Sequence, residues 1–128
     1  MVSDGDKSLE SLRFLLKSQG VDFWMSRSCA DAARLLEQTH PELIFTASQH
    51  ADGTWRDVMM LAERATVATN VIVVGKCRDV RLYLLAMEYG AFDFIFPPFE
   101  PEHIGHVVRV AAEDVRSRRE AQALKAVA

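Results

Sequence analysis

Residues 90–99 read Gly-Ala-Phe-Asp-Phe-Ile-Phe-Pro-Pro-Phe, and they show most clearly how this chain is built. Gly90 is typical of the left-handed residue that ends a helix. The run Phe92–Phe96 is rich in aromatic residues and predicts a strand, and the two prolines after it predict a rigid turn. Pro101 then suits the first turn of another helix. Helix, strand and helix therefore follow one another closely, as they do in α/β proteins.

The same alternation continues toward the N-terminus. Val71–Val74 is an unbroken β-branched run, which predicts a central strand covered by helices on both faces. Leu43–Ala47 and Val21–Met25 predict two further strands. Only residues 1–2 precede Ser3, so the strand expected before the first helix is very short in this sequence. Either the chain begins late, or upstream residues complete the strand, or the domain tolerates a short central strand. Strands joined by helices imply right-handed parallel crossovers, and the sequence therefore predicts a doubly wound parallel sheet.

Five helices are predicted from apolar spacing and from capping residues. Leu9, Leu12 and Leu16 share one face of the first helix. Ser28 and Thr54 suit the N-caps of the second and third helices, because each is followed three residues later by an aspartate that completes a capping box. The fourth helix follows another N-cap candidate, and the fifth begins after the two prolines.

Composition describes an ordinary globular protein. The chain has 128 residues, of which 49% are hydrophobic and 26% charged, and we expect one domain over residues 1–128. The net charge of -3 gives no general attraction for nucleic acid or for an anionic membrane. Cys29 and Cys77 are isolated and are expected to be reduced thiols. No membrane-spanning run or signal peptide is apparent, so a cytoplasmic location is predicted.

The last helix, about residues 101–120, carries a group of arginines near its predicted end. Arg116, Arg118 and Arg119 are expected there to complement the helix dipole. The same stretch could be a connector to an effector domain or simply a long last helix, and the sequence leaves both open.

Four local patterns together resemble the receiver domain of bacterial response regulators, of the chemotaxis-regulator type, over nearly the whole chain. They are Leu15-Leu16 before Gly20, Pro41-Glu42-Leu43-Ile44, Gly90-Ala91-Phe92-Asp93-Phe94, and Pro98-Phe99. The resemblance implies a flavodoxin-like sheet of five parallel strands in the order 2-1-3-4-5, with five helices and a very short first strand. It also implies that the peptide bond before Pro98 is cis.

The receivers that this chain resembles carry an acidic pair, a phosphorylated aspartate, a hydroxyl residue and a lysine at the strand ends. Carried over position by position, these roles fall mostly on residues that cannot perform them. The resulting degenerate acceptor pocket consists of Ser3, Asp4, Ala47, Gly75 and Pro97. Spread negative charge on a transferred phosphoryl group needs a metal and fixed cations. We therefore expect no phosphorylation of the usual kind, no Mg²⁺ and no enzymatic activity.

Several alternatives stay open at this point. Ser48 or Asp52 could be a non-standard phosphorylation site, and the small residues Ala47 and Gly75 could leave room for a small ligand. Asp4 and Asp6 are weak candidates for a cation, but two carboxylates alone under-coordinate a hard ion. The histidines give an equally weak metal signal and are His50, His103 and His106.

The fourth helix follows Asp79, a candidate N-cap, and is unusually apolar. One side of this helix is expected to pack against the sheet and consists of Leu82, Leu85, Ala86 and Tyr89. A second stripe has nothing obvious to cover and consists of Val80, Tyr83, Leu84 and Met87. Such stripes commonly mark a partner surface, although a more deeply buried helix would explain it equally well.

The resemblance places this stripe on the face formed by helix four, strand five and helix five, which is a frequent interface in receivers. We therefore predict a protein partner or a homodimer there. Phe94 matches the aromatic residue that reports phosphorylation in active receivers, and a plain core role fits it equally well.

Overall fold

The computed structural model describes residues 7–21, 28–50 and 52–127. Within them the chain alternates between helices and short strands, as the sequence predicts. The elements are α1 Lys7–Ser18, α2 Cys29–Thr39, β1 Leu43–Ala47, β2 Gln49–His50, β3 Gly53–Thr54, α3 Trp55–Arg64, β4 Asn70–Val74, α4 Val80–Glu88, β5 Asp93–Ile95 and α5 Pro101–Val127.

Three described strands form a parallel sheet in the order β1-β4-β5. Ala47 lies opposite Val74, and Val74 in turn lies opposite Ile95, so the C-terminal ends of the three strands share one edge. These are the third, fourth and fifth strands of the predicted sheet. The first strand lies outside the described residues, as does Val21–Met25 apart from Val21 itself.

A short two-stranded antiparallel sheet was not predicted. β2 and β3 pair in antiparallel fashion directly after β1, with Gln49 opposite Thr54. The predicted strand Phe92–Phe96 is also shorter in the structure, because only Asp93–Ile95 pairs with β4.

Strand alternation divides the core between the two faces of the sheet. Phe45 and Ile72 pack with α1 and α5 on one face, whereas Ile44 and Val71 pack with α2 and α3 on the other. All five residues of β4 are buried, which confirms the prediction of a central strand covered on both faces.

The predicted caps are present. The Ser28 hydroxyl accepts a hydrogen bond from Asp31 N at the start of α2, and Thr54 forms a capping box with Asp57 at the start of α3. The Asp79 carboxylate accepts from Leu82 N and begins α4. Gly90, at a φ of 95°, ends this segment in the left-handed region.

The end of α5 corrects two predictions. The helix continues to Val127 instead of ending near residue 120. Its arginines do not lie at the helix end, and they bind groups near the N-terminal ends of the strands. Arg116 pairs with Glu42. Arg119 donates hydrogen bonds to the carbonyl oxygens of His40, Pro41 and Ala68. These bonds hold the helix against the sheet up to Arg119, and beyond residue 120 the side chain of Gln122 accepts a hydrogen bond of 3.1 Å from Ala68 N. Among residues 7–21, 28–50 and 52–127, no helix is long and apolar enough to cross a bilayer.

Candidate functional site

The C-terminal edge of the sheet brings together three of the five predicted pocket positions. Ala47 ends β1, Gly75 directly follows β4, and Pro97 lies two residues after β5. Gly75 N donates a hydrogen bond of 2.8 Å to Ile95 O, which ties the β4 and β5 ends together. Ser3 and Asp4, like the cation candidate Asp6, lie outside the described residues.

Ala47, to which the resemblance assigns the position of the phosphorylated aspartate, is part of the hydrophobic core. It is 2% exposed and belongs to the apolar cluster that contains Leu9, Leu12 and Val74. A methyl group in such surroundings can neither attack a phosphoryl donor nor bind a cation. This position therefore contributes packing to the edge and no reactive group.

Gly75 is the residue to which the resemblance assigns the hydroxyl position, and the Phe94 ring fills the space beside it. A Cβ atom built on Gly75 would lie 2.5 Å from Phe94 Cζ, well inside van der Waals contact. Phe94 itself is only 6% exposed. The expectation that Gly75 leaves room for a small ligand is therefore wrong on this side, because an aromatic side chain already takes that room.

Pro97 is the residue to which the resemblance assigns the lysine position. The peptide bond between Pro97 and Pro98 is cis, as the resemblance implies. A proline ring offers no cation and no hydrogen-bond donor. None of the three described pocket positions can neutralise negative charge through its side chain.

Asp52, an alternative phosphorylation candidate, already serves another purpose. Its carboxylate accepts hydrogen bonds from Cys29 N at 2.9 Å and from Ala30 N at 3.1 Å, so it caps the start of α2. These two bonds hold the pKa of Asp52 below its ordinary value. Burial, reinforced by the nearby Asp52 carboxylate, raises the pKa of the Cys29 thiol to about 11. Cys29 is therefore an unreactive thiol near neutral pH.

The described residues at this edge do not fit a magnesium ion. Mg²⁺ prefers oxygen ligands, usually carboxylates, and the side chains of Ala47, Gly75 and Pro97 supply none. In the described part of the chain no three His, Cys, Asp or Glu side chains are grouped so that they could hold a metal. His103 and His106 lie exposed on α5, and the side chain of His50 lies outside the described part.

The predicted apolar stripe of α4 is exposed. Leu84 is 60% exposed, and the rest of the set is exposed as well: Val80, Tyr83 and Met87. Ala86 faces the core with Leu82 and Leu85 beside it, as predicted.

Tyr89 was wrongly placed in the core-facing set, since it is 51% exposed. It follows the end of α4, and its ring packs edge-on against Trp55 of α3 at a centroid distance of 5.5 Å. The Arg56 guanidinium lies 5.1 Å from the centroid of the Tyr89 ring.

A chain of aromatic rings joins the stripe to the sheet edge. The Tyr83 and Phe94 rings are 6.2 Å apart between centroids, and the Phe94 and Phe96 rings are 6.0 Å apart. Phe94 therefore contacts Gly75 on one side and the exposed stripe on the other. The sequence indicated Gly75, Tyr83 and Phe94 separately. It gave no signal for the contacts between them, because α4 and the ends of β4 and β5 come together only when the chain folds.

The architecture is closely matched among solved structures. A response regulator receiver domain protein from Clostridium thermocellum superposes with a TM-score of 0.75 at 19% identity, covering 88% of this chain and 91% of that chain. A CheY-like receiver domain protein from Methanospirillum hungatei gives 0.75 at 15% identity, covering 91% and 93%. The chain has the receiver fold.

A third similar structure is the solution structure of the beryllofluoride-activated NtrC4 receiver domain dimer. Its TM-score is 0.76 at 20% identity, and the match covers 89% of this chain and 94% of that chain. No protein-family model and no curated protein sequence matches the chain. The likeness thus establishes the receiver fold, including the flavodoxin-like parallel sheet, and the function has to be argued from the residues.

Proposed function

We propose that this chain is a receiver-like domain of two-component signal transduction that acts in the cytoplasm without phosphorylation of the usual kind. In this proposal it has no catalytic role and works by binding a protein through the exposed stripe of α4. The contact between Gly75 and Phe94 carries the proposal, because it fills the place where a hydroxyl would meet a phosphoryl group.

The described residues at the C-terminal edge of the sheet also lack the charges that the reaction needs. A transferred phosphoryl group carries spread negative charge that must be met by cations and a metal. Ala47 and Pro97 place apolar groups where an acceptor and a cation would be required. The capping bonds of Asp52 further favour a structural role for the alternative acceptor.

The aromatic chain supports a single, constant form of the binding face. Phe94 is buried against Gly75, and its ring contacts Tyr83 of the stripe. A ring that fills the adjacent space has little freedom to change its rotamer. The stripe is therefore presented in one arrangement regardless of any phosphoryl donor.

Incubation with acetyl phosphate and Mg²⁺, followed by intact mass measurement, tests the absence of phosphorylation. We expect no gain in mass, whereas a receiver that retains its aspartate gains one phosphoryl group under the same conditions. Should the chain gain this mass, and lose the gain in Asp52→Asn or Ser48→Ala, the proposal is wrong and a non-standard acceptor is established.

The interface is tested separately with the variants Tyr83→Lys and Met87→Lys. Both add charge to the stripe at exposed positions, so the fold should be retained. Phe14→Lys is the matched control, because Phe14 is 78% exposed on α1 and lies outside the stripe. A protein partner, including a second copy, should be bound by the wild type and the control and lost in the two stripe variants.

A further inference from the structure

We propose that the junction of α3 and α4 is a second protein-binding surface, at which the Arg56 guanidinium receives a carboxylate of a partner protein. In this surface Tyr89 and Met60 supply the apolar contacts beside that carboxylate. It is distinct from the exposed stripe of α4, because Tyr83 of the stripe packs against β5 whereas Tyr89 packs against α3. The proposal therefore holds whether or not the stripe binds a protein.

Arg56 is positioned by two aromatic rings. Its guanidinium carbon lies 5.6 Å from the centroid of the Trp55 ring and 5.1 Å from that of the Tyr89 ring. The two rings meet edge to face, and Trp55 is buried in the core with Val73 and Ala86. Attraction to a ring that is fixed in the core restricts the arginine side chain, so less conformational entropy is lost when this arginine binds.

The donors of this guanidinium are not used within the described part of the chain. Over residues 7–21, 28–50 and 52–127, the side-chain N–H groups of Arg56 form neither a salt bridge nor a hydrogen bond. By contrast, Arg116 and Arg119 of α5 are bound to a carboxylate and to backbone carbonyls. A guanidinium presents its donors in a planar fork that matches a carboxylate. Arg56 is therefore suited to bind one from outside the chain.

The side chains beside Arg56 are of the kinds that protein interfaces contain. Met60 lies one turn further along α3 on the same side and is 48% exposed, and Tyr89 is 51% exposed. Arginine, tyrosine and methionine are all enriched in interfaces, and arginine and tyrosine are frequent among the residues that contribute most to binding. The surface thus presents one cation between two large, exposed side chains.

Nearby acidic residues limit the negative charge that a partner can bring. Glu63 lies two turns after Arg56 on nearly the same side of α3, roughly 10 Å along the helix axis. Glu88 directly precedes Tyr89, and both glutamates are exposed. A nucleic acid carries many negative charges, so these glutamates would repel it. A protein segment with a single carboxylate next to an apolar side chain matches the surface better.

An NMR titration with two capped dipeptides tests the site. Acetyl-Leu-Glu-amide presents an apolar side chain beside a carboxylate, and acetyl-Leu-Gln-amide differs from it only in lacking the charge. The reporters are the Arg56 Nε–H and the Trp55 indole N–H, which a spectrum of Trp24→Phe assigns because the chain has 2 tryptophans. We expect saturable shifts of both signals and a Kd about tenfold lower for the glutamate peptide. No saturable shift, or equal binding of the two peptides, overturns the proposal.

Variants separate the geometry of Arg56 from its charge. Arg56→Gln should weaken binding of the glutamate peptide about tenfold, and Arg56→Lys should recover only part of the loss, because lysine keeps the charge without the fork. Tyr89→Ser should also weaken binding. Arg64→Gln is the matched control, since Arg64 is exposed on the same helix and contacts no aromatic ring among the described residues. An equal loss in Arg64→Gln would mean that only net charge matters and would reject the site.

Other occupants of the surface give different results. If the wild type self-associates in sedimentation velocity and Arg56→Gln abolishes the association, the carboxylate belongs to a second copy and a different protein partner is rejected. A single-stranded oligonucleotide that shifts the Arg56 signal at lower concentration than the glutamate peptide would reject a protein partner as well. Tyr83→Lys should leave the peptide shifts unchanged, so a failure of the stripe and a failure of this surface are distinguishable.

Discussion

The described side chains at the C-terminal and N-terminal edges of the parallel sheet differ in polarity. At the C-terminal edge, where ligand chemistry usually takes place in open α/β sheets, Ala47, Gly75 and Pro97 offer no charge. At the N-terminal edge, Asn70 begins β4 and is buried within a network of hydrogen bonds to α5. Among the described residues, the polar contacts at the N-terminal edge hold a helix against the sheet.

The network at the N-terminal edge is well satisfied. The Asn70 amide donates to Ala111 O at 2.9 Å and to the Asp114 carboxylate at 3.0 Å, and its oxygen accepts from Arg118. Arg118 also pairs with Asp114 at 3.0 Å. Because each buried polar atom has a partner, this edge can bury an amide without the usual penalty. The comparison predicts that polarity is tolerated at one edge and costly at the other.

The largest effect is expected from adding the missing carboxylate to the C-terminal edge. Ala47→Asp places a charge among apolar side chains at a position that is 2% exposed. An uncompensated buried charge costs about 3 kcal/mol or more, so the free energy of unfolding should fall by about that amount. Urea denaturation measures it.

Ala47→Asn is the matched control, since it has the same size and hydrogen-bonding shape without the charge. It should lose less stability than the aspartate variant, about 1–3 kcal/mol for an unpaired amide. Equal losses would show that the charge is irrelevant, and no loss in either would show that this edge is more polar than we describe.

A smaller effect should follow from adding one methyl group beside Phe94. Gly75→Ala forces the Phe94 ring or the backbone to move, because the new Cβ would lie 2.5 Å from Phe94 Cζ. Overpacking of this kind costs about 2 kcal/mol. Combining it with Phe94→Leu, which removes the ring, should cost less than the sum of the two single changes. Additive losses would mean that the two residues do not share the space.

The outline of the fold could be predicted because it depends on local patterns. The β-branched run Val71–Val74 and the caps at Thr54 and Asp79 each encode one element, and each is found where the sequence places it. The stripe of α4 is also local, since its four residues share one side of the helix while Leu82, Leu85 and Ala86 occupy the side that faces the sheet.

The failures come from contacts between distant residues. Tyr89 was assigned to the core from its spacing within α4, but its ring packs against Trp55 of α3. The arginines of α5 were assigned to a helix end, whereas each of them has a partner that lies 48 to 79 residues earlier in the chain. Helical spacing carries no information about either contact, because the helices and loops involved meet only after folding.

The N-terminal edge offers the next test. Asn70→Ala removes two donated hydrogen bonds and the acceptor used by Arg118. Because Arg118 and Asp114 keep their mutual contact, we expect a loss of only about 1.5 kcal/mol in the free energy of unfolding. Asn70→Asp retains the shape and the acceptor but brings a second carboxylate to Asp114, and it should be at least as destabilising near neutral pH. Wild-type stability in Asn70→Ala would show that the network does not hold α5.

The smallest effect concerns Asp52, which lies between β2 and β3. Its pKa is lowered by the amides of Cys29 and Ala30, so its contribution to stability is fully present above about pH 4, the ordinary value of an aspartate. That contribution is lost as the pH falls through the lowered pKa. Asp52→Asn should therefore unfold at lower urea than the wild type near pH 7, and the gap should close toward about pH 2. If the difference in stability between the wild type and Asp52→Asn stays constant with pH, the charge of the Asp52 carboxylate does not contribute to capping α2. A neutral side chain would then cap the helix equally well.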